Sequence, residues 1–159
     1  MGSPARDGVR RTGRLIAVDT NILLYAHRED ASFHDAAAAR IRELAEGRGQ
    51  WCIPWPCIHE FFAIATHPRI FAPPTPSAKA IDQIEAWLES PTLTLLSESN
   101  AHWTELRRLL QAARISGPHV HDARIAALCI QHGVRALWTA DRDFSRFSGL
   151  AAVNPLITR

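Results

Sequence analysis

Apolar residues fill positions 15–18 (LIAV) and resume at 22–26 (ILLYA), with Asp19, Thr20 and Asn21 standing between them. A short apolar run flanked by polar residues reads as a buried strand. The resumption, with Asp19 or Thr20 near its cap, reads as a helix over 21–27. The Ala-rich segment 33–46 carries Ala37, Ile41 and Leu44 on one stripe and stops at Gly47 and Gly49, as amphipathic helices do. A second strand follows at 51–53 (WCI), then a turn at Pro54 and Pro56 and a helix over 58–65. Pro68, Pro73, Pro74 and Pro76 make a loop, and Ser77 is placed to cap a helix over 77–88. A third strand falls at 93–96. The helix expected over 100–115 sets Trp103, Leu106, Leu109, Leu110 and Ala113 in register. Gly117-Pro118 breaks the chain before a helix at 120–131 that Gly133 closes. Strand 136–139, a helical turn at 144–147 and a fifth strand at 150–153 complete the pattern.

Strands alternate with helices and no hairpin signal joins them, which predicts an α/β sandwich around a small parallel sheet of four to five strands. The 159 residues suit one domain, assigned to 15–159. No apolar run approaches the ~18 residues of a membrane span. Net charge is +2, yet residues 1–14 hold Arg6, Arg10, Arg11 and Arg14 against Asp7 alone, so a near-neutral body is expected to carry a flexible basic tail. Arg10-Arg11 is not read as an export signal, because Asp19 interrupts the apolar stretch after it and no small-residue cleavage site follows. Cys52, Cys57 and Cys129 are odd in number and form no C-x-x-C pair, so buried reduced thiols in a reducing, cytoplasmic compartment are expected.

A charge inside an apolar stretch is costly, so Asp19 demands a reason. In open parallel sheets ligands bind beyond the carboxyl ends of the strands. Asp19 directly follows the first strand, and Asp141, in TADRDF (139–144), directly follows the fourth. Glu60 in IHEFF and Asp122 in HVHDARIAALCI each lie near the start of an apolar helix. Taken singly they have plain explanations: Asp19 a helix cap, Asp122 a partner of the helix dipole, Asp141 a turn residue. Together, several carboxylates on one rim repel each other by roughly 1–4 kcal/mol per close pair and need a cation. Oxygen ligands favour Mg²⁺ or Mn²⁺, and such a site suits metal-activated water attacking a phosphodiester.

The stretches VDTNILLYA (18–26), IHEFFAIATHPRIF (58–71), HDARIAALCIQHGVRALWTADRDF (121–144) and GLAAVNPL (149–156) resemble the PIN-domain ribonucleases, and within them the VapC toxins of bacterial toxin–antitoxin pairs. The resemblance implies a three-layer α/β/α sandwich. It implies that Asp19, Glu60, Asp122 and Asp141 are the catalytic acids, with Asp19, Asp122 and Asp141 holding Mg²⁺. Asn21, Thr139 and Asp143 would orient or support them, as metal sites generally require. It further implies internal RNA cleavage leaving a 3′-hydroxyl and a 5′-phosphate, a structured RNA substrate such as tRNA, a VapB-type antitoxin and a homodimer.

Around these acids, Arg124, Arg142 and Arg146 are expected to rim the pocket and meet phosphates. Arg40, Arg42, Arg107 and Arg108 read as solvated helix faces. His59, His119 and His121 crowd Glu60 and Asp122, and histidine is a common transition-metal ligand, though a solvent-facing position is the simpler reading. Trp51, Trp55, Phe61, Phe62 and Phe71 are expected mainly in the core, some of them bordering a groove for an amphipathic partner. Three rival readings stand beside the nuclease. A haloacid-dehalogenase-like phosphatase wants a second Asp where Asn21 stands. A DNA structure-specific nuclease would carry an additional helical clamp. A decayed scaffold that only binds RNA or protein would not retain all four acids.

Overall fold

The first strand, β1 (Ile16–Val18), is three residues long and occupies the centre of a five-stranded parallel sheet of order β3-β2-β1-β4-β5. The computed structural model describes residues 15–157; the basic segment expected at 1–14 lies outside the described residues. The remaining strands are β2 (Trp51–Pro54), β3 (Leu93–Leu96), β4 (Ala136–Trp138) and β5 (Ala151–Val153). Ile16 pairs with both Trp51 and Ala136, so β1 is hydrogen-bonded on each side. Its Ala17 and Val18, with Trp51, Ile53 and Leu137, are fully or almost fully buried, which is why these strands read as continuous apolar runs.

Among the described residues six α-helices cover the sheet: α1 (Thr20–His27), α2 (His34–Glu46), α3 (Trp55–Ala65), α4 (Ser77–Leu88), α5 (His102–Ala112) and α6 (Val120–Gln131). The α1–α4 group packs together, and α5 packs on α6. Right-handed crossovers require this division. The connections from β1 to β3 progress one way across the sheet, and the return to β4 comes back over the other face. The result is the α/β/α sandwich. The reversal falls between β1 and β4, the topological switch point where α/β folds bind ligands.

The expected elements are all present, with shifted edges. Helix α3 starts at Trp55 rather than 58, because Pro56 fits the first helical turn, where its missing N–H has no intrahelical partner. Ser77 lies inside α4 rather than capping it; Pro76 takes the cap position and no side chain bonds the helix end. Helix α5 stops at Ala112 rather than 115, where Arg114 adopts a left-handed φ of 53° and the Ile115 N–H turns back to the Leu110 carbonyl. Gly133, at φ 69°, closes α6 as expected. The stripe of α5 buries Leu109 but leaves Trp103, in the first turn of the helix, 62% exposed.

Arg40 departs from the solvated reading, and Arg28, which the sequence reading did not single out, is buried. Arg40 donates from Nε to the Pro155 carbonyl and lies over the Trp138 ring, so it tethers α2 to the segment after β5. Arg28 is 9% exposed. Its guanidinium bonds both Asp30 oxygens and the Pro73 carbonyl and covers Phe71, which fastens the proline-rich loop to the end of α1. Cys52, Cys57 and Cys129 are free and buried, as expected. Burial pushes the Cys52 thiol up to about 12.

Candidate active site at the carboxyl ends of the strands

Asp19 ends β1 and caps α1 in a single residue. Its backbone N–H completes the ladder to the Trp138 carbonyl, while its Oδ1 accepts the Thr20 N–H at 2.8 Å. The cap reading is therefore correct, but it accounts for one oxygen only. Oδ2 accepts the Thr139 hydroxyl at 2.8 Å and, more loosely, the Asn21 amide. The Cys57 thiol also donates to Oδ1.

Thr139 fixes this geometry because its hydroxyl is saturated. It accepts from Asn21 Nδ2 and from the Asp141 N–H, so its one proton is committed to Asp19. Asn21 closes the clamp by accepting the Ala140 N–H at 3.1 Å. The break in the apolar run thus serves three ends: Asp19 faces the site, Asn21 joins the tips of β1 and β4, and Thr20 donates its hydroxyl to Glu60 Oε2 at 2.8 Å.

Asp141 follows β4, and its Oδ1 accepts the Asp143 N–H, so it caps the short 3₁₀ turn Arg142–Arg146. Asp143 itself is exposed. Asp122, in the first turn of α6, is half-buried, with Arg146 Nη2 3.6 Å and His119 Nδ1 3.8 Å from its Oδ2.

The acids feel one another. Asp19 is 5% exposed; burial, reinforced by the charge of Glu60, outweighs its hydrogen bonds and raises its carboxyl to about 6. Burial also raises Asp122, as do the charges of Asp141 and Glu60, against the opposing pull of Arg146 and His119. Glu60 thus acts on both Asp19 and Asp122, and Asp141 acts on Asp122, although among the described residues no three His, Cys, Asp or Glu side chains stand close enough together to hold a metal ion by themselves.

The donor chemistry, carboxylate oxygens only, is of the kind a hard divalent cation takes, and Arg146 and His119 are the cations that face one of them, Asp122. An open arrangement of this kind matches Mg²⁺, which keeps several of its waters and takes few direct protein ligands.

Two clefts flank the acids. One, about 330 Å³, is lined by Glu60, His59, His121 and Arg124. The other, about 530 Å³, is lined by Thr139, Asp141, Arg142, Tyr25 and Phe33, among others. Arg142 and Arg146 border the acids as expected, whereas Arg124 is paired with Glu98 at 2.6 Å while still reaching the Glu60 cleft. Residues that pattern reading missed are Thr20 and Cys57. The adjacency of Thr20 to Asp19 is a signal for the first, and nothing in the sequence signals the second.

A sequence model of the PIN domain matches residues 16–150, a span that runs from β1 past Asp141. The chain belongs to the PIN domain family. Two curated relatives of this PIN domain are Mycobacterium tuberculosis ribonucleases. VapC48 is 29% identical over 137 residues, 86% of this chain and 94% of that one. VapC43 is 31% identical over 143 residues, 89% of this chain and 96% of that one. They place this PIN domain with the VapC type. Among solved structures, VapBC2 from Rickettsia felis, bound to a DNA fragment from its promoter, superposes on the PIN fold with a TM-score of 0.62 at 19% identity, covering 87% of this chain and 97% of that one.

Proposed function

We propose that this chain is a metal-dependent endoribonuclease toxin of a VapBC-type pair, cleaving structured RNA, with tRNA the expected class. The observation that carries the reading is Asp19: a carboxylate 5% exposed at the sheet's switch point, raised to about 6 by burial and by Glu60. A structural cap has no need of such a cost. In this reading Asp19, Asp122 and Asp141 hold Mg²⁺ (or Mn²⁺), directly or through water. A bound cation of this type acidifies water and offsets the charge developing on a phosphoryl oxygen. Thr139 and Asn21 orient Asp19. Thr20 takes one oxygen of Glu60 and leaves the other to hold the attacking water in line. Arg142 and Arg146 meet the phosphates on either side.

The VapC relationship supports a VapB-type antitoxin, a homodimer and a cytoplasmic setting as parts of the same proposal. No helix among the described residues is long and apolar enough to cross a membrane. The test is one gel: purified chain, free of partner, with total bacterial RNA and Mg²⁺. Discrete fragments that vanish with EDTA and with Asp122→Asn support the reading. Intact RNA from folded, partner-free protein overturns it in favour of a decayed binding scaffold.

A further inference from the structure

Beside the acids, α3 presents an aromatic pair that the catalytic reading leaves unused. Trp55 opens the helix with 37% of its surface exposed, whereas Trp51, four residues earlier, is wholly buried. The Trp55 indole lies against the exposed imidazole of His59, with ring centroids 6.0 Å apart and planes inclined by 27°. Two clefts meet at this pair. A recess of about 150 Å³ is lined by Trp55, Leu96 and Leu128 together with Ser97 and Glu98, and it shares Pro56 and Arg124 with the 330 Å³ cleft that contains Glu60. A recess that begins at the indole thus adjoins the acid cleft, with the Arg124 guanidinium, held by Glu98, at the junction.

A strand of RNA crossing this edge needs these features in this order. An unpaired base offers a flat π surface to an aromatic side chain, and its phosphate offers a charge to an arginine. A fully paired helix offers no free base face. We propose that Trp55, backed by His59, is a stacking shelf for an unpaired nucleobase of the RNA beside the phosphate held at the acids, with Arg124 leaving Glu98 to meet the intervening phosphate. This rests on the ribonuclease reading and names the substrate feature its site selects: a single-stranded nucleotide next to the cleavage point.

The test uses a fluorescein-labelled octa-adenylate RNA and the fully abasic octamer of the same backbone. Binding to the whole chain is read in EDTA by anisotropy. Trp55→Ala weakens octa-adenylate binding roughly tenfold, since one stacked base contributes about 1–3 kcal/mol, while Trp55→Phe stays within about threefold of wild type. The abasic octamer binds wild type and Trp55→Ala equally, an outcome that a merely structural role for Trp55 would not produce. Equal octa-adenylate affinity for wild type and Trp55→Ala, an equal loss on the abasic strand, or no octa-adenylate binding by wild type each overturns the shelf. If wild type with Mg²⁺ cuts total RNA while Trp55→Ala binds normally, the shelf alone falls. If wild type leaves that RNA uncut, the nuclease reading falls and takes the shelf with it.

Discussion

The hydroxyl of Thr20 donates to Oε2 of Glu60 at 2.8 Å, across forty residues of chain and between the helices that follow β1 and β2. One residue thus sets the position of one acid while its neighbour, Asp19, supplies another. Thr20→Val keeps the shape and removes the donor. It should lower RNA cleavage by about 10–100-fold, the effect of misplacing a carboxylate that holds the attacking water, and leave Mn²⁺ affinity near the wild-type value. Thr20→Ser should restore most of the cleavage. Cleavage rates, alongside Mn²⁺ titration calorimetry and a melting curve, check it; unaltered cleavage in Thr20→Val would show that Glu60 needs no such support.

The Asp19 carboxyl, raised to about 6, makes stability depend on pH in a definite direction. Folding favours its neutral form, so the stabilisation is complete below the ordinary carboxylate range near 4 and is lost as pH rises through about 6. The raised carboxyl of Asp122 acts in the same sense. Metal-free protein should therefore be less stable at pH 8 than at pH 5 by about 1.4 kcal/mol from Asp19 alone, and by about 3 kcal/mol relative to pH 3. Mg²⁺ should recover that loss at pH 8 and do little at pH 5. Thermal melts in EDTA and in Mg²⁺ across this range give the answer, and a melting temperature that rises with pH in EDTA contradicts it.

Arg28 predicts a defect of stability without a defect of chemistry. Its contacts lie with Pro73, Thr75 and Phe71 in the proline-rich loop, away from the four acids. Arg28→Ala removes hydrogen bonds to Pro73 and Thr75 and the cover over Phe71, a loss of about 2 kcal/mol. Arg28→Lys should rescue little, because an ammonium cannot reproduce the forked geometry. Denaturant midpoints read the stability. Cleavage per folded molecule should stay at the wild-type level at low temperature.

Glu98 holds Arg124 at 2.6 Å on a half-exposed surface, where ion pairs contribute little to stability. Glu98→Ala should leave the melting temperature nearly unchanged but free the guanidinium for phosphate. RNA binding in EDTA should then tighten and steepen with falling salt, whereas Arg124→Ala should weaken it and reduce the salt slope by about one. A Glu98→Ala protein that binds more weakly than wild type would remove Arg124 from the phosphate path.

Much of this was legible in the chain because the pattern and the physics agreed. The strands buried on both faces are the short apolar runs, and the helices carry apolar stripes that stop at Gly47 and Gly133. Asp19 and Asp141 could be placed on one rim because each directly follows a strand. Arg28 was invisible, since its burial depends on a loop that returns forty-five residues later with Pro73 and Phe71. Trp103 looked like core because α5 has the right period, and periodicity does not say which turns of a helix find a neighbour to pack on. Thr139 was seen as polar and near the acids. That its hydroxyl has one proton direction left followed only from seeing Asn21, Asp141 and Asp19 converge on it.

The strand order places β1, among the first elements in the chain, edge to edge with β4, among the last. During synthesis from the amino end, Asp19 emerges without Thr139 to aim its oxygen. A chain truncated after β3 can pair β1 with β2 and still lack half the cleft. The acids come together only when contacts spanning about 120 residues close, the slowest kind to form. For a protein whose proposed activity endangers the RNA of the cell that makes it, such a topology delays competence: the nascent chain stays harmless until β4 and the residues after it have been read.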